Sequence, residues 1–405
     1  MIKNVLIFNY AGPEYIVYFD DYRHNAFGSG GWHRGIGWQQ NIASLMDGLI
    51  SLSGVTVFST TTLNYGHKVP LKNSERKKHK TSFNKICYSH IIDEDSYIAQ
   101  CEDVADECDI IVIMEEENPG NVVGDVADER GGKWGVGRSH PTTYFRNKDG
   151  DVVRHLHRYM LVNHKDKVVF LEGGDDRYGP QYAVHPENQP PHYKVFFKRE
   201  KELGKMYSGN VISFPFATEE IYFTGGKNFD KIWNNKKLDM VSLFRGKNNS
   251  RRAIKDILVK NFKNNNKCIV DYLSLDFKDT NNSGLHKEES EAFLQSCISV
   301  DGEPGEGCYY TDRMFKSLAA GCCLFLPTPA YNVDFPNGFK DGVNVVIYDK
   351  RNPNDLIEKI NYYLYNRDEL KRIAKNGFDN LLKYHTSEVR AKEFIETCER
   401  YMSEN

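Results

Sequence analysis

At 405 residues the chain is about 2.7 times the length of an ordinary domain, so two or three domains are expected. Lys and Arg number 53 against 56 Asp and Glu, a formal net charge of −3, which excludes a globally basic nucleic-acid coat protein and leaves only local basic patches. Hydrophobic residues at 40% and charged residues at 27% exclude a disordered chain and supply a sizeable core.

The first apolar run, Val5-Leu6-Ile7-Phe8, is too short for the core of a signal peptide, and residues 3–9 read as a strand. No stretch reaches the roughly 18–20 apolar residues that a spanning helix needs. A helix is expected over Ile36–Leu52, a strand over Val55–Ser59 and a helix over Asp95–Asp106. Buried strands of the parallel type follow at Asp109–Met114 and Lys167–Leu171, with another at Val195–Phe197. A second alternating set begins near 238, with strands at 238–244, 268–272, 297–300, 322–326 and 343–347. Its helices are expected at Ser250–Phe262, capped by Ser250, then at 287–296, 312–320 ended by Gly321, 354–365, 367–384 and 387–402. Such alternation predicts an α/β protein of two Rossmann-like doubly wound domains facing a cleft, with ligands at the carboxyl ends of the strands. The stretch 200–235, with Pro215, Gly225 and Gly226, interrupts the pattern and marks the boundary. The nine cysteines are odd in number and scattered without a C-x-x-C, so reduced thiols and a cytoplasmic location are expected.

Three loops carry most of the chemistry. Gly28-Ser29-Gly30-Gly31-Trp32-His33-Arg34-Gly35-Ile36-Gly37 precedes a helix, and its glycines would let backbone N–H groups approach an anion. It is not a G-x-G-x-x-G fingerprint; His33 and Arg34 add donors for a phosphate or a sugar hydroxyl, the alternative being a plain surface loop. Phe244-Arg245-Gly246-Lys247-Asn248-Asn249-Ser250-Arg251-Arg252 joins a strand to a helix, and its guanidinium groups with the helix dipole suit a diphosphate; a solvated basic turn is the alternative. The third runs from Asp301 through Glu303, Gly305, Glu306, Tyr310 and Thr311 into a helix bearing Arg313 and Lys316. Two cations read at a helix N-terminus oppose its dipole, as a phosphate site would require, unless Arg313 merely pairs with Asp312 or Glu306.

Weaker candidates are Glu115 and the pair Asp175-Asp176, each at the end of a strand, where a carboxylate could act as general base on a hydroxyl or simply be solvated. His155-Leu156-His157 reads as surface rather than metal site. The basic run 72–85 reads as a solvated loop that could also meet nucleic acid.

Arg313-x-Phe315-x-x-Leu318-Ala319-Ala320-Gly321 followed by an apolar strand resembles the donor-site helix of GT-B glycosyltransferases. Phe339-x-x-Gly342-Val343-Asn344-Val345, then Asp355-Leu356, Ile373-Ala374-x-x-Gly377 and His385-Thr386-x-x-x-Arg390-Ala391 continue the likeness in order, as do Asp175-Asp176, Phe196–Glu200 and Phe214-Pro215-Phe216. The resemblance, to the glycosyl transferases group 1 and spore-maturation-type families, spans roughly 165–395. It implies an N-terminal acceptor-side domain over 1–215 plus 386–405, the last helix packing back onto it, and a donor domain over 216–385. It implies transfer from a nucleotide-sugar such as a UDP-sugar to an acceptor hydroxyl, with no metal and no cofactor. Donor-side residues would be Gly30, Gly31, Arg245, Gly246, Arg251, Tyr310, Thr311, Arg313 and Lys316; acceptor-side residues would be His33, Arg34 and Asp176. The catalytic carboxylate would come from Glu303, Glu306, Glu115 and Asp175. The Glu-x7-Glu pair of retaining members is absent in register, since Cys308 and Lys316 stand at its two positions. The acceptor is expected to be a glycan or small molecule. The rivals are a phage- or virus-type enzyme acting on a hydroxylated DNA base, and an inactive sugar- or nucleotide-binding module.

Overall fold

The computed structural model describes residues 2–9, 44–59, 84–85, 102–115, 144–146, 152–155, 163–172, 194–204, 207, 209–244, 249–270, 283–302, 310–329 and 333–404. The chain folds as two units, one of Met1–Asn64, Lys72–Pro215 and Arg390–Asn405, the other of Tyr65–Leu71 and Phe216–Val389.

In the first unit, apolar runs become parallel strands: β1 (Asn4–Asn9), β2 (Thr56–Ser59), β3 (Asn84–Lys85), β4 (Ile110–Glu115), β7 (Val168–Glu172), β8 (Phe196–Lys198) and β10 (Val211–Ser213). Their order is β10-β8-β7-β4-β1-β2-β3, all neighbours parallel. The order reverses between β1 and β4, which defines a doubly wound sheet. Residues 44–51 and 102–107 are helical, and Leu45, Met46 and Leu49 are buried. A separate antiparallel hairpin, β5 (Tyr144–Arg146) with β6 (Val152–His155), pairs Tyr144 with His155. A two-residue strand, β9 (Lys201–Glu202), follows β8.

The stretch read as an interruption therefore contains β10, a seventh strand of only three residues, too short to show a period. The last helix, α7 (Ser387–Ser403; α1 to α6 are given below), packs into this unit. Phe394 sits between Phe197 and Phe214, with ring centroids 4.8 and 6.2 Å away, and the buried Arg390 guanidinium lies 5.4 Å from the Phe214 ring. The Ile2 amide donates to Glu399 Oε1 and Tyr401 Oη donates to the Gly209 carbonyl.

The second unit holds β11 (Leu238–Val241), β12 (Cys268–Ile269), β13 (Ser296–Val300), β14 (Cys323–Pro327) and β16 (Val346–Tyr348) in the order β12-β11-β13-β14-β16, all parallel. A short β15 (Val333–Asp334) lies outside this sheet. The helices are α1 (Phe229–Trp233), α2 (Asn249–Phe262), α3 (Ser283–Gln295), α4 (Asp312–Ala319), α5 (Pro353–Tyr365) and α6 (Arg367–Tyr384). Every residue of β13 and β14 is buried, as strands covered on both faces must be. Helix α2 begins at Asn249, so Ser250 lies inside its first turn and does not cap it.

Helix α4 ends as its glycine predicts. Gly321 takes φ +68°, its amide donates to Leu318 O, and the Cys322 amide donates to Ser317 O, closing a Schellman motif. Beside it, Lys236 Nζ donates to Ala320 O at 2.6 Å and Phe293 O at 3.1 Å, a buried ammonium placed where two helices expose their last carbonyls. Burial holds its pKa below the usual lysine value. The six described cysteines, Cys108, Cys268, Cys297, Cys322, Cys323 and Cys398, are free thiols. Burial pushes Cys322 up to about 11 and Cys108 up to about 12, so these thiols are poorly reactive.

Gly377 lets α6 touch the loop before β16: a Cβ there would stand 2.6 Å from Asn344 O and 2.9 Å from Leu318 Cδ2. Gly377→Val is expected to lower stability by about 1–3 kcal/mol, because the contact is with backbone that cannot swing away; urea unfolding measures it. In the first unit, His164 is buried 3.4 Å from an Asp106 oxygen. Burial, then the Lys167 charge, lowers its pKa below 6.5. The unfolded chain therefore takes up this proton first, and the histidine's contribution to stability is complete above 6.5 and lost as pH falls through the lowered folded value. The urea midpoint should fall over that acid range in wild type, and less so in His164→Gln.

Candidate functional site

In the second sheet the strand order reverses between β11 and β13, the place where open α/β sheets hold ligands beyond the carboxyl ends. Beyond β11 the chain runs through Ser242, Leu243 and Phe244 toward α2, whose start carries the buried Arg251. Beyond β13 it runs through Asp301 and Gly302. A Cβ on Gly302 would come within 2.9 Å of the Phe244 ring, so the two strand ends approach as closely as a glycine permits.

Asp301 is 3% exposed and held by main chain and side chain alike. Its amide donates to Phe325 O and its carbonyl accepts from Tyr348 Oη at 2.8 Å, which ties β13 to β14 and β16. One carboxylate oxygen, Oδ2, accepts from Thr311 Oγ1 at 2.6 Å. The other, Oδ1, accepts from the Gly302 amide at 2.9 Å and lies 3.7 Å from Arg313 Nη2. Thr311 is the N-cap of α4: its Oγ1 accepts from the Met314 amide, and its own amide donates to Met314 Sδ. One buried carboxylate thus fixes both the start of α4 and the ion pair of its first cation.

The two cations of α4 have separate lives. Lys316 is 6% exposed and belongs to the last turn of an eight-residue helix, where a cation complements the dipole; the expected pair of cations at the N-terminus is corrected to Arg313 alone. Lys316 Nζ meets Asp312 Oδ2 at 2.5 Å, four residues earlier, and lies 4.9 Å from the Tyr222 ring centroid. Burial disfavours its charge, but Asp312, Glu289 and Glu219 together outweigh that effect and raise its pKa. Arg313 lies beside the Asp301 carboxylate.

Tyr310 is buried in an aromatic cluster, its ring 4.3 Å from Phe335 and 5.5 Å from Phe339. Phe315 and His385 join that cluster, and His385 Nε2 lies 3.0 Å from Asn337 O. Asn344 is buried, accepting from the Lys340 amide and donating to Gly338 O. The residues that carried the resemblance over 310–391 thus include several that shape loops and core.

Gly30, Gly31, His33, Arg34, Asp175, Asp176, Arg245, Gly246, Glu303 and Glu306 lie outside the described residues, as do His157 and most of the basic run 72–85. Glu115 ends β4, at the carboxyl edge of the first sheet. Among the described residues, then, Thr311 and Arg313 are brought together by Asp301, while Arg251 starts the helix after the neighbouring strand. Asp301 itself and Tyr348 were not singled out from the sequence. A polar residue directly after a buried strand was the available signal for Asp301; nothing local marked Tyr348.

Comparison with known proteins agrees with this architecture. Residues 288–396 match the family model described as Glycosyl transferase-like, a stretch that contains β13, α4 and β14. HepE of Anabaena, solved with UDP, aligns over 98% of this chain and 100% of its own at 9% identity and a TM-score of 0.51. The same protein solved with UDP and glucose gives 8% identity over 98% and 100%, with a TM-score of 0.50. An alpha-glucosyltransferase solved with UDP-glucose and DNA containing an abasic site aligns over 98% and 99% at 11% identity and a TM-score of 0.51. No curated protein sequence matches. The fold is that of the GT-B glycosyltransferases. Over 288–396 the chain is similar to the glycosyl transferases group 1. Among the described residues no helix is long and apolar enough to cross a membrane.

Lys316→Met keeps the side-chain stem and removes the charge that faces Asp312, Glu289 and Glu219. It is expected to cost about 3 kcal/mol, the low end for breaking a buried pair, because Asp312 keeps some contact with solvent. Thermal unfolding of the variant checks this.

Proposed function

We propose that the protein is a glycosyltransferase of class EC 2.4 that moves a sugar from a nucleotide-sugar, UDP-linked, to an acceptor hydroxyl. The observation that carries the reading is a coincidence of place. The stretch similar to glycosyltransferases contains Asp301, Thr311 and Arg313 at the switch point of a doubly wound unit, with Arg251 at the head of the next helix. Departure of a nucleoside diphosphate needs stabilisation of developing negative charge more than covalent help. Arg313 and Arg251, joined by Arg245, are assigned that task, without a metal or other cofactor. Lys316, engaged with carboxylates, is assigned to the structure of α4 rather than to phosphate. The general base is drawn from Glu303, Glu306, Glu115 and Asp175; Gly30 and Gly31 are assigned to the donor, and His33, Arg34 and Asp176 to the acceptor, a glycan or small molecule. Free thiols agree with a cytoplasmic site of action.

A DNA-base acceptor is the second reading, favoured by the shared fold with an alpha-glucosyltransferase solved on DNA and by the basic run 72–85. It would require a flipped base and salt-sensitive binding.

A thermal-shift panel of UDP, GDP, ADP and UDP-glucose in EDTA tests the donor assignment. A nucleotide at 100 times its Kd should add about 2.7 kcal/mol of stability, and Arg313→Ala should reduce the shift. Silence from every nucleotide would sink the reading, and a requirement for added metal would overturn the metal-free part of it. Binding of nucleotide without any hydrolysis of UDP-glucose would favour an inactive module, and duplex binding that weakens steeply with salt would favour the DNA acceptor.

A further inference from the structure

We infer that Asp301 is a positioning residue of the donor site, acting on the nucleotide diphosphate through Arg313; this rests on the reading just given. An arginine binds a diphosphate well when its planar fork is already aimed, since ordering a free guanidinium on binding costs side-chain entropy. Asp301 is built to aim it. The residue is buried, and its amide, its carbonyl and both carboxylate oxygens are engaged by Phe325, Tyr348, Thr311 and Gly302. Its position therefore does not depend on Arg313. Oδ1 lies 3.7 Å from Nη2, a charge contact too long to be a hydrogen bond. The attraction orients the guanidinium without taking one of its donors for itself. The same carboxylate holds the hydroxyl of Thr311 two residues earlier, so the backbone that carries Arg313 is set by the same group. A second negative charge beside an anion-binding arginine would oppose anion binding if charge alone mattered; its presence makes sense where geometry counts for more.

The test is a double-mutant cycle on the full chain, with UDP binding read by calorimetry and Tm read in parallel. Asp301→Asn keeps the shape and one of the two acceptor oxygens and removes the charge. The Kd for UDP should rise about tenfold in the wild-type background and less than twofold when Arg313 is already alanine. An Asp301→Asn effect on Kd of equal size in both backgrounds, or none in the first, would overturn the inference. Should Asp301→Asn fail to fold, Asp301→Glu, which keeps the charge and displaces it by one methylene, is read on the same cycle with the same two outcomes. A wild-type protein that binds no nucleotide overturns the donor reading and this inference with it. That result is distinct from a protein that binds UDP indifferently to Asp301.

Discussion

A carboxylate buried where β13 leaves its sheet has to be satisfied by whatever the chain brings to it, and in this protein it is met from four directions. Asp301 receives the hydroxyl of Thr311, the amide of Gly302, the charge of Arg313 and, on its carbonyl, the hydroxyl of Tyr348. Remove that carboxylate and the N-cap of α4 loses its anchor and Arg313 loses a counter-charge, while the bond from Tyr348 to the main-chain carbonyl remains. The cost of leaving such polar groups unmet in a buried place is what makes the arrangement all-or-none. Parallel strands buried on both faces leave no room for charged side chains along their length, where β13 carries only Ser296 and Ser299 as polar residues, so charged chemistry gathers at their ends. Helix α4, β14 and α6 are then packed around that end, with Gly377 allowing the closest approach.

Much of this fold was legible in the sequence, for a definite reason. Strands such as Ile110–Glu115 and Cys323–Pro327 have a neighbour on each side and carry apolar runs, Ile110–Met114 in the first, that stand out between amphipathic helices. The pieces that escaped are short or peripheral. Val211–Ser213 completes the first sheet with three residues, and the hairpin of Tyr144–Arg146 and Val152–His155 has no periodic signal at that length. Gly321 was read correctly because a left-handed residue after an apolar helix has few other identities.

The site was less legible because its contacts are distant in sequence. Arg313 stands out as a cation at the start of a helix, but the Asp301 carboxylate lies twelve positions earlier, and Tyr348 comes from a strand 47 residues beyond Asp301. Lys316 has a signal of its own: its spacing of four from Asp312 is the ordinary signature of a helical ion pair. A reading of the two cations against the helix dipole passes over that local pair, because the dipole argument needs the helix's end, and eight residues put Lys316 in the last turn. Tyr310 and Thr311 show the same lesson: a residue inside a recognisable motif can serve the core or the cap.

The return of α7 to the first unit bears on how the chain is made. Phe394 fills the space beside Phe197 and Phe214, and Glu399 receives the amide of Ile2, so strands synthesised early complete their core with a helix synthesised much later. On a ribosome adding about 5–20 residues each second, Phe214 waits roughly ten to forty seconds for Phe394. During that interval the second unit's sheet, whose strands and helices are contiguous from Leu238 to Tyr384, can assemble by itself. The first sheet must meanwhile carry an apolar gap beside Phe197 and Phe214 that only α7 closes, so strands made before the second unit wait for a helix made after it.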